Sequence, residues 1–181
     1  NYIILSDGTS CRMSAGAAET FAEAYDNDYA TLYFANKDVY LSEDDGTLSI
    51  ASISGGVVGD FKNVTDDAVV LSVDGSTLYY ASGSYQNSDV TYCDLYSCSS
   101  GTSTRLARDI MLSNINLYSD GVILAYTGYR SYYGYELTMI DAKGDATLIA
   151  DNVTQYIRVD KSTLLYISDG DLYYYNGKEK S

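Results

Sequence analysis

The side chains able to do chemistry here are 21 tyrosines, 25 carboxylates and three cysteines, and histidine is absent. Its absence removes the commonest general base, the usual zinc ligand and every histidine-dependent triad. Tyrosine offers a flat apolar ring with a polar tip, which suits sugar faces and peptides. Two stretches concentrate it. Tyr129, Arg130, Tyr132 and Tyr133 fall between Gly128 and Gly134, and Tyr85, Gln86, Asn87 and Asp89 fall between Ser82 and Asp89. Both read as loops longer than their counterparts elsewhere in the chain, and such loops on a rigid scaffold are where binding usually resides. Tyr85, Asn87, Asp89, Tyr129, Arg130, Tyr132 and Tyr133 are therefore the expected contacts for a protein, peptide or glycan ligand. The plainer reading is that these tyrosines pack on their own loops.

The remaining candidates point to structure more than to chemistry. Two carboxylates can run a glycosidase or lyase, but their separation in space is not readable from sequence. No G-x-S-x-G stretch, P-loop or dinucleotide fingerprint occurs, so no catalytic residue and no cofactor is expected, and the chain reads as a non-enzyme. Glu43-Asp44-Asp45 and Asp26-Asn27-Asp28 offer oxygen ligands for calcium but lack the spacing of a calcium loop, and are expected as solvated turns. Asn63-Val64-Thr65 and Asn152-Val153-Thr154 match glycosylation acceptors. They also occupy equivalent places in a repeat, where the Asn can turn the chain. Cys11, Cys93 and Cys98 make an odd count, which argues against a disulfide framework. Cys93 and Cys98 fall on opposite faces of a regular strand. They read as small core residues; a local disulfide requires the strand to bend, and a metal site lacks further ligands.

The elements that must carry these residues are set by a repeat. Four phrases close on an apolar residue, at Tyr25, Val64, Ile110 and Val153, after Phe21-Ala22-Glu23-Ala24, Asp60-Phe61-Lys62-Asn63, Leu106-Ala107-Arg108-Asp109 and Leu148-Ile149-Ala150-Asp151-Asn152. The closures are roughly 40 to 46 residues apart, the period of propeller blades. Asp-Gly pairs at 7, 45, 74, 120 and 169 stand between apolar runs and predict hairpins. The fold class is all-β, a partial β-propeller of about three whole four-stranded blades and two incomplete ones. The blades run 1–25 (partial), 26–64, 65–110, 111–153 and 154–181 (partial), in one domain. Residues 15–25 also fit a short helix, but alignment with the other repeat ends favours a strand. Asn1 and Ser181 both fall inside repeats, so a longer array is expected. The net charge of −14 opposes nucleic acid and anionic lipid. No apolar run reaches membrane-helix length, so this segment is not expected to insert.

The runs Ser76-Thr77-Leu78-Tyr79-Tyr80, Leu148-Ile149-Ala150-Asp151-Asn152-Val153 and Thr163 through Lys178, with its Asp171-Leu172-Tyr173-Tyr174-Tyr175, carry a likeness. Over residues 26–181 the chain resembles the Tyr-rich β-propeller family of bacterial extracytoplasmic proteins, in which the propeller often follows a zinc ribbon and a membrane helix. The resemblance implies a non-catalytic ligand-binding or interaction module at the bacterial cell surface or secreted. It brings no catalytic residue with it. The alternatives are an enzyme acting on polysaccharide and a structural or sensory ectodomain of a membrane protein.

Overall fold

The computed structural model describes residues 2–4, 10–14, 17–22, 30–54, 57–130 and 134–177, with backbone only for residues before 30 and for 57, 129 and 130. The described residues are all-β. The first strands are β1 (Tyr2–Ile4), β2 (Ser10–Ser14), β3 (Ala17–Ala22), β4 (Ala30–Ala35), β5 (Asp38–Glu43), β6 (Leu48–Ser54), β7 (Val57–Val58), β8 (Lys62–Thr65) and β9 (Val69–Asp74). They are followed by β10 (Thr77–Asn87), β11 (Val90–Ser99), β12 (Thr102–Leu117), β13 (Ile123–Arg130), β14 (Gly134–Ile140), β15 (Ala146–Arg158), β16 (Leu164–Ser168) and β17 (Asp171–Tyr175). Residues 17–22 are thus strand, as the repeat alignment favours over the helical reading.

Neighbours in sequence are neighbours in the sheets. β1 to β3 form one sheet, β4 to β7 a second with β8 also on β6, and β9 to β17 follow one another in a third. The chain divides into two compact units, Asn1–Tyr80 with Ser97–Thr104, and Ala81–Tyr96 with Arg105–Ser181.

Turn chemistry explains the meander. Ser100-Gly101 and Asp169-Gly170 each place two successive residues at positive φ (49° and 78°, 51° and 91°), the twist that matches paired strands. A second turn type recurs. Gly46, Gly121 and Gly144 donate their N–H to the carbonyls of Glu43, Tyr118 and Asp141, and the strand pair closes one residue later at Thr47, Val122 and Asp145. Each of these glycines has φ between 79° and 93°, which a side chain would strain.

β12 and β15 are long because each pairs with the strand before it and the strand after it, over different parts of its length in β15. β15 pairs with β14 from Ala146 to Val153 and with β16 from Val153 to Arg158. The expected four-strand count separated these halves; the structure joins them through one left-handed residue, Asn152 at φ 55° in β15 and Asp109 at φ 53° in β12. Both stand immediately before a closure residue of the repeat, Val153 and Ile110, each fully buried. Asn and Asp reach this backbone region at lower cost than other residues bearing a Cβ. Asn63, in the same repeat place, keeps an ordinary φ and gives its amide to Asp66.

In the first unit, Tyr40 is fully buried and its hydroxyl donates to the Cys98 carbonyl at 3.1 Å. Buried Asp38 accepts from the Ser52 hydroxyl at 2.9 Å and the Ser100 hydroxyl at 3.3 Å, so its charge does not lie bare in the core. In the second unit, two parts of the third sheet, on either side of β15, share a core. Leu124, Tyr126 and Leu137 from β13 and β14 share one core with Leu164, Tyr166 and Tyr175 from β16 and β17. Cys93 and Cys98 are buried free thiols with no bond between them.

Candidate functional site

Residues 82–87 are not a loop. They continue β10, and the turn to β11 takes only Ser88 and Asp89. Residues 128–130 likewise continue β13, with Tyr129 opposite Tyr135 and Arg130 opposite Gly134. The ladder holds because Tyr and Ser are compatible with a pleated, half-solvated surface. The structure gathers Tyr85, Asn87 and Asp89 on the β10–β11 hairpin and sets Tyr129 and Arg130 on the β13–β14 hairpin. Tyr132 and Tyr133 lie outside the described residues, as do Asp26, Asn27 and Asp28. Tyr85 is half exposed, stacks on Tyr92 with centroids 5.6 Å apart, and donates its hydroxyl to Asp109 at 2.8 Å. That bond to a carboxylate raises its pKa. At the other proposed calcium position, Asp45 spends an oxygen on the Thr47 N–H at 2.8 Å. Among the described residues no group of three acidic or cysteine side chains is arranged to hold a metal ion.

A more developed site lies within the second unit, on strand residues that the sequence reading passed over. Asn114 and Asn116 come from the end of β12, Tyr118 from the residue after it, Tyr126 from β13, and Gln155, Tyr156, Ile157 and Arg158 from the end of β15; they line an open cleft of about 430 Å³. Alternation puts Asn114, Asn116 and Tyr118 on one side of their strand and Ile115 and Leu117 on the other. That polar–apolar rhythm was the available signal. The same rhythm runs through many of the strands, so it does not single this one out.

The cleft is held by its own hydrogen bonds. The Asn116 amide donates to the Tyr156 hydroxyl at 2.5 Å. The Tyr156 ring meets Tyr126 edge-on at 5.3 Å, and Tyr126 stacks on Tyr135 at 4.8 Å. Arg158 grips Asp120 with both ends of its guanidinium, Nη1 to Oδ1 at 2.8 Å and Nη2 to Oδ2 at 2.6 Å, and Nη2 also donates to the Lys161 carbonyl at 3.0 Å. Its guanidinium carbon lies 4.5 Å from the Tyr118 ring centroid, a cation–π distance.

Electrostatics make this cleft neutral. Hydrogen bonding from Arg158 draws the Asp120 pKa down to about 2, so the carboxylate stays charged and cancels its partner. Burial pushes the Tyr156 phenol up to about 12 and raises Tyr118 and Tyr126 as well. All three therefore present neutral hydroxyls at ordinary pH. Such a surface can stack against an apolar ring face and exchange hydrogen bonds through amides and phenols. Asp120 is too acidic and too firmly paired to carry a proton to a leaving group at neutral pH.

No protein-family model and no curated protein matches this chain. Among solved structures it is similar to the β-propeller domain of the Trilobed protease from Pyrococcus furiosus, which has an open velcro topology. The identity is 14%, the TM-score 0.48, and the match covers 99% of this chain and 65% of that one. It is also similar to the acylaminoacyl peptidase of Pyrococcus horikoshii, at 14% identity and TM-score 0.45, over 96% of this chain and 36% of that one. TolB from Acinetobacter baumannii gives 14% identity and TM-score 0.42, over 91% of this chain and 47% of that one. The chain thus spans about two thirds of the first, a third of the second and half of the third.

Proposed function

We propose that the chain is part of a β-propeller acting outside the cytoplasm as a non-catalytic binding module, and that its ligand is an uncharged glycan seated in the Tyr118–Tyr126–Tyr156 cleft. The propeller reading is supported by antiparallel meanders at the repeat period and by the core that the β13–β14 and β16–β17 parts of the third sheet share in the second unit. The extracytoplasmic placement is supported by the Tyr-rich likeness of residues 76–80 and 163–178.

One observation carries the ligand class: the cleft combines tyrosines and amides with a charge pair that is already satisfied internally. Aromatic rings stack on sugar faces, while Asn and Gln exchange hydrogen bonds with hydroxyls. An anionic ligand would find Arg158 taken and the chain at −14. The test is a glycan array followed by calorimetry on the strongest neutral hit. Tyr118→Ala and Asn116→Ala should each weaken binding roughly tenfold or more, the loss of about 1.4 kcal/mol. A hit whose affinity survives both changes, or an array on which only charged glycans bind, would sink the proposal.

A further inference from the structure

We propose that a second cleft, within the first unit, binds a small molecule through a primary ammonium group. It holds about 540 Å³ and is bounded by Ser52 of β6, Asp60 and Lys62 at the approach to β8, and the Ser100-Gly101 turn between β11 and β12. That volume suits a ligand of several non-hydrogen atoms. None of its residues lines the cleft of Asn116 and Tyr156, so the two sites stand or fall separately.

Buried Asp38 decides what the two serines can offer. It stands opposite Ser52 in the β5–β6 ladder and is 6% exposed. One carboxylate oxygen takes the hydrogen of the Ser52 hydroxyl at 2.9 Å, and the other takes that of Ser100 at 3.3 Å. An ionised carboxylate only accepts, and a hydroxyl has one hydrogen, so both serines have theirs committed. What they present to a ligand is lone pairs. Asp60, exposed at the same cleft, adds a third acceptor. The hydroxyls satisfy the hydrogen bonding of Asp38 without neutralising it, and among the described residues no cation pairs with it. A buried carboxylate without a counter-ion is unfavourable. A ligand that brings N–H donors together with positive charge answers both demands. Ser100 itself is an unusual choice: its φ is 49°, at a turn position where Asn, Asp or Gly sits at lower cost. A quaternary ammonium fits poorly, since it has no N–H and is recognised by aromatic rings, and no aromatic residue lines this cleft among the described residues. Lys62 is exposed, with no acidic partner among the described residues, so the chain's own ammonium competes for the same acceptors.

The test is titration of the intact protein with ethanolamine, and separately with choline, read from the backbone amide signals of Gly59 and Gly101 by NMR. The two probes carry the same charge, and only ethanolamine has N–H donors. Ethanolamine should saturate those signals with a dissociation constant on the order of millimolar, as suits so small a ligand. Choline should bind at least about tenfold more weakly. Ser100→Gly removes one acceptor while keeping a residue that tolerates positive φ, and should weaken ethanolamine about fivefold. Lys62→Met should tighten it. Equal binding of the two probes would show mere attraction to a chain of net charge −14 and overturn the proposal. So would saturation by neither probe, calcium chloride moving the same signals at lower concentration than ethanolamine, or an affinity indifferent to Ser100→Gly.

Discussion

Arg158 is the residue on which the cleft wall depends. It ties the end of β15 to the turn at Asp120 and supports Tyr118 from behind. Arg158 holds the Asp120 carboxyl at about 2, below its ordinary 3.8, so the pair contributes stability above pH 3.8 that is lost as pH falls toward 2. Arg158→Met should therefore cost about 2 kcal/mol at pH 7, read from urea unfolding. The gap from the parent should close between pH 4 and pH 2. A gap that is constant with pH would mean that the arginine acts through packing alone. The cysteines give a second expectation at this scale. Cys93 and Cys98 are at most 1% exposed, and burial pushes the Cys93 thiol up to about 11. In a Cys11→Ser background, a disulfide reagent at pH 8 should label neither thiol until denaturant is added, and then both; rapid labelling of the native protein would refute this. The strands that carry the candidate cleft were legible in the sequence as apolar runs between turns. The strand at Ser82–Asn87 was not, because a polar run reads equally as loop or as half-solvated strand.

At the scale of the element, the left-handed residue inside β15 is the critical joint. Gly134, at the start of β14, lies against it: a Cβ there would come within 2.7 Å of the Asn152 carbonyl carbon, with φ at +116°. Gly134→Ala should destabilise by more than about 2 kcal/mol. Asn152→Val should cost about 1–2 kcal/mol more than Asn152→Gly, since only the β-branched residue resists positive φ. Thermal unfolding of the three variants checks both expectations, and equal effects of Val and Gly would remove the joint's special role. The Asp-Gly pairs at 45, 120 and 169 announced their hairpins, and the closures at Ile110 and Val153 announced the joints. The continuity of β12 and β15 through those joints was hidden. Asn63 occupies the same repeat place with ordinary backbone, so residue type alone does not mark the bend.

For the whole molecule, composition was enough to give the class. A chain rich in Tyr, Val, Ile and Thr is expected to be all-β, and its described residues are. The division into units was not readable, because it falls inside β10, β11 and β12, where alternation runs on without a break. Charge makes its prediction at this scale. With 25 acidic and 11 basic residues, the native state carries unfavourable self-repulsion that salt screens. Raising sodium chloride from about 0.02 M to about 0.5 M should lift the melting temperature by a few degrees; a fall would show that attractive pairs such as Arg158–Asp120 outweigh the excess charge.

The handover at Asp109 and Asn152 has a genetic corollary. A tandem duplication or deletion with its two ends at these codons would gain or lose one complete meander in frame, and the new junction would inherit the αL residue it requires.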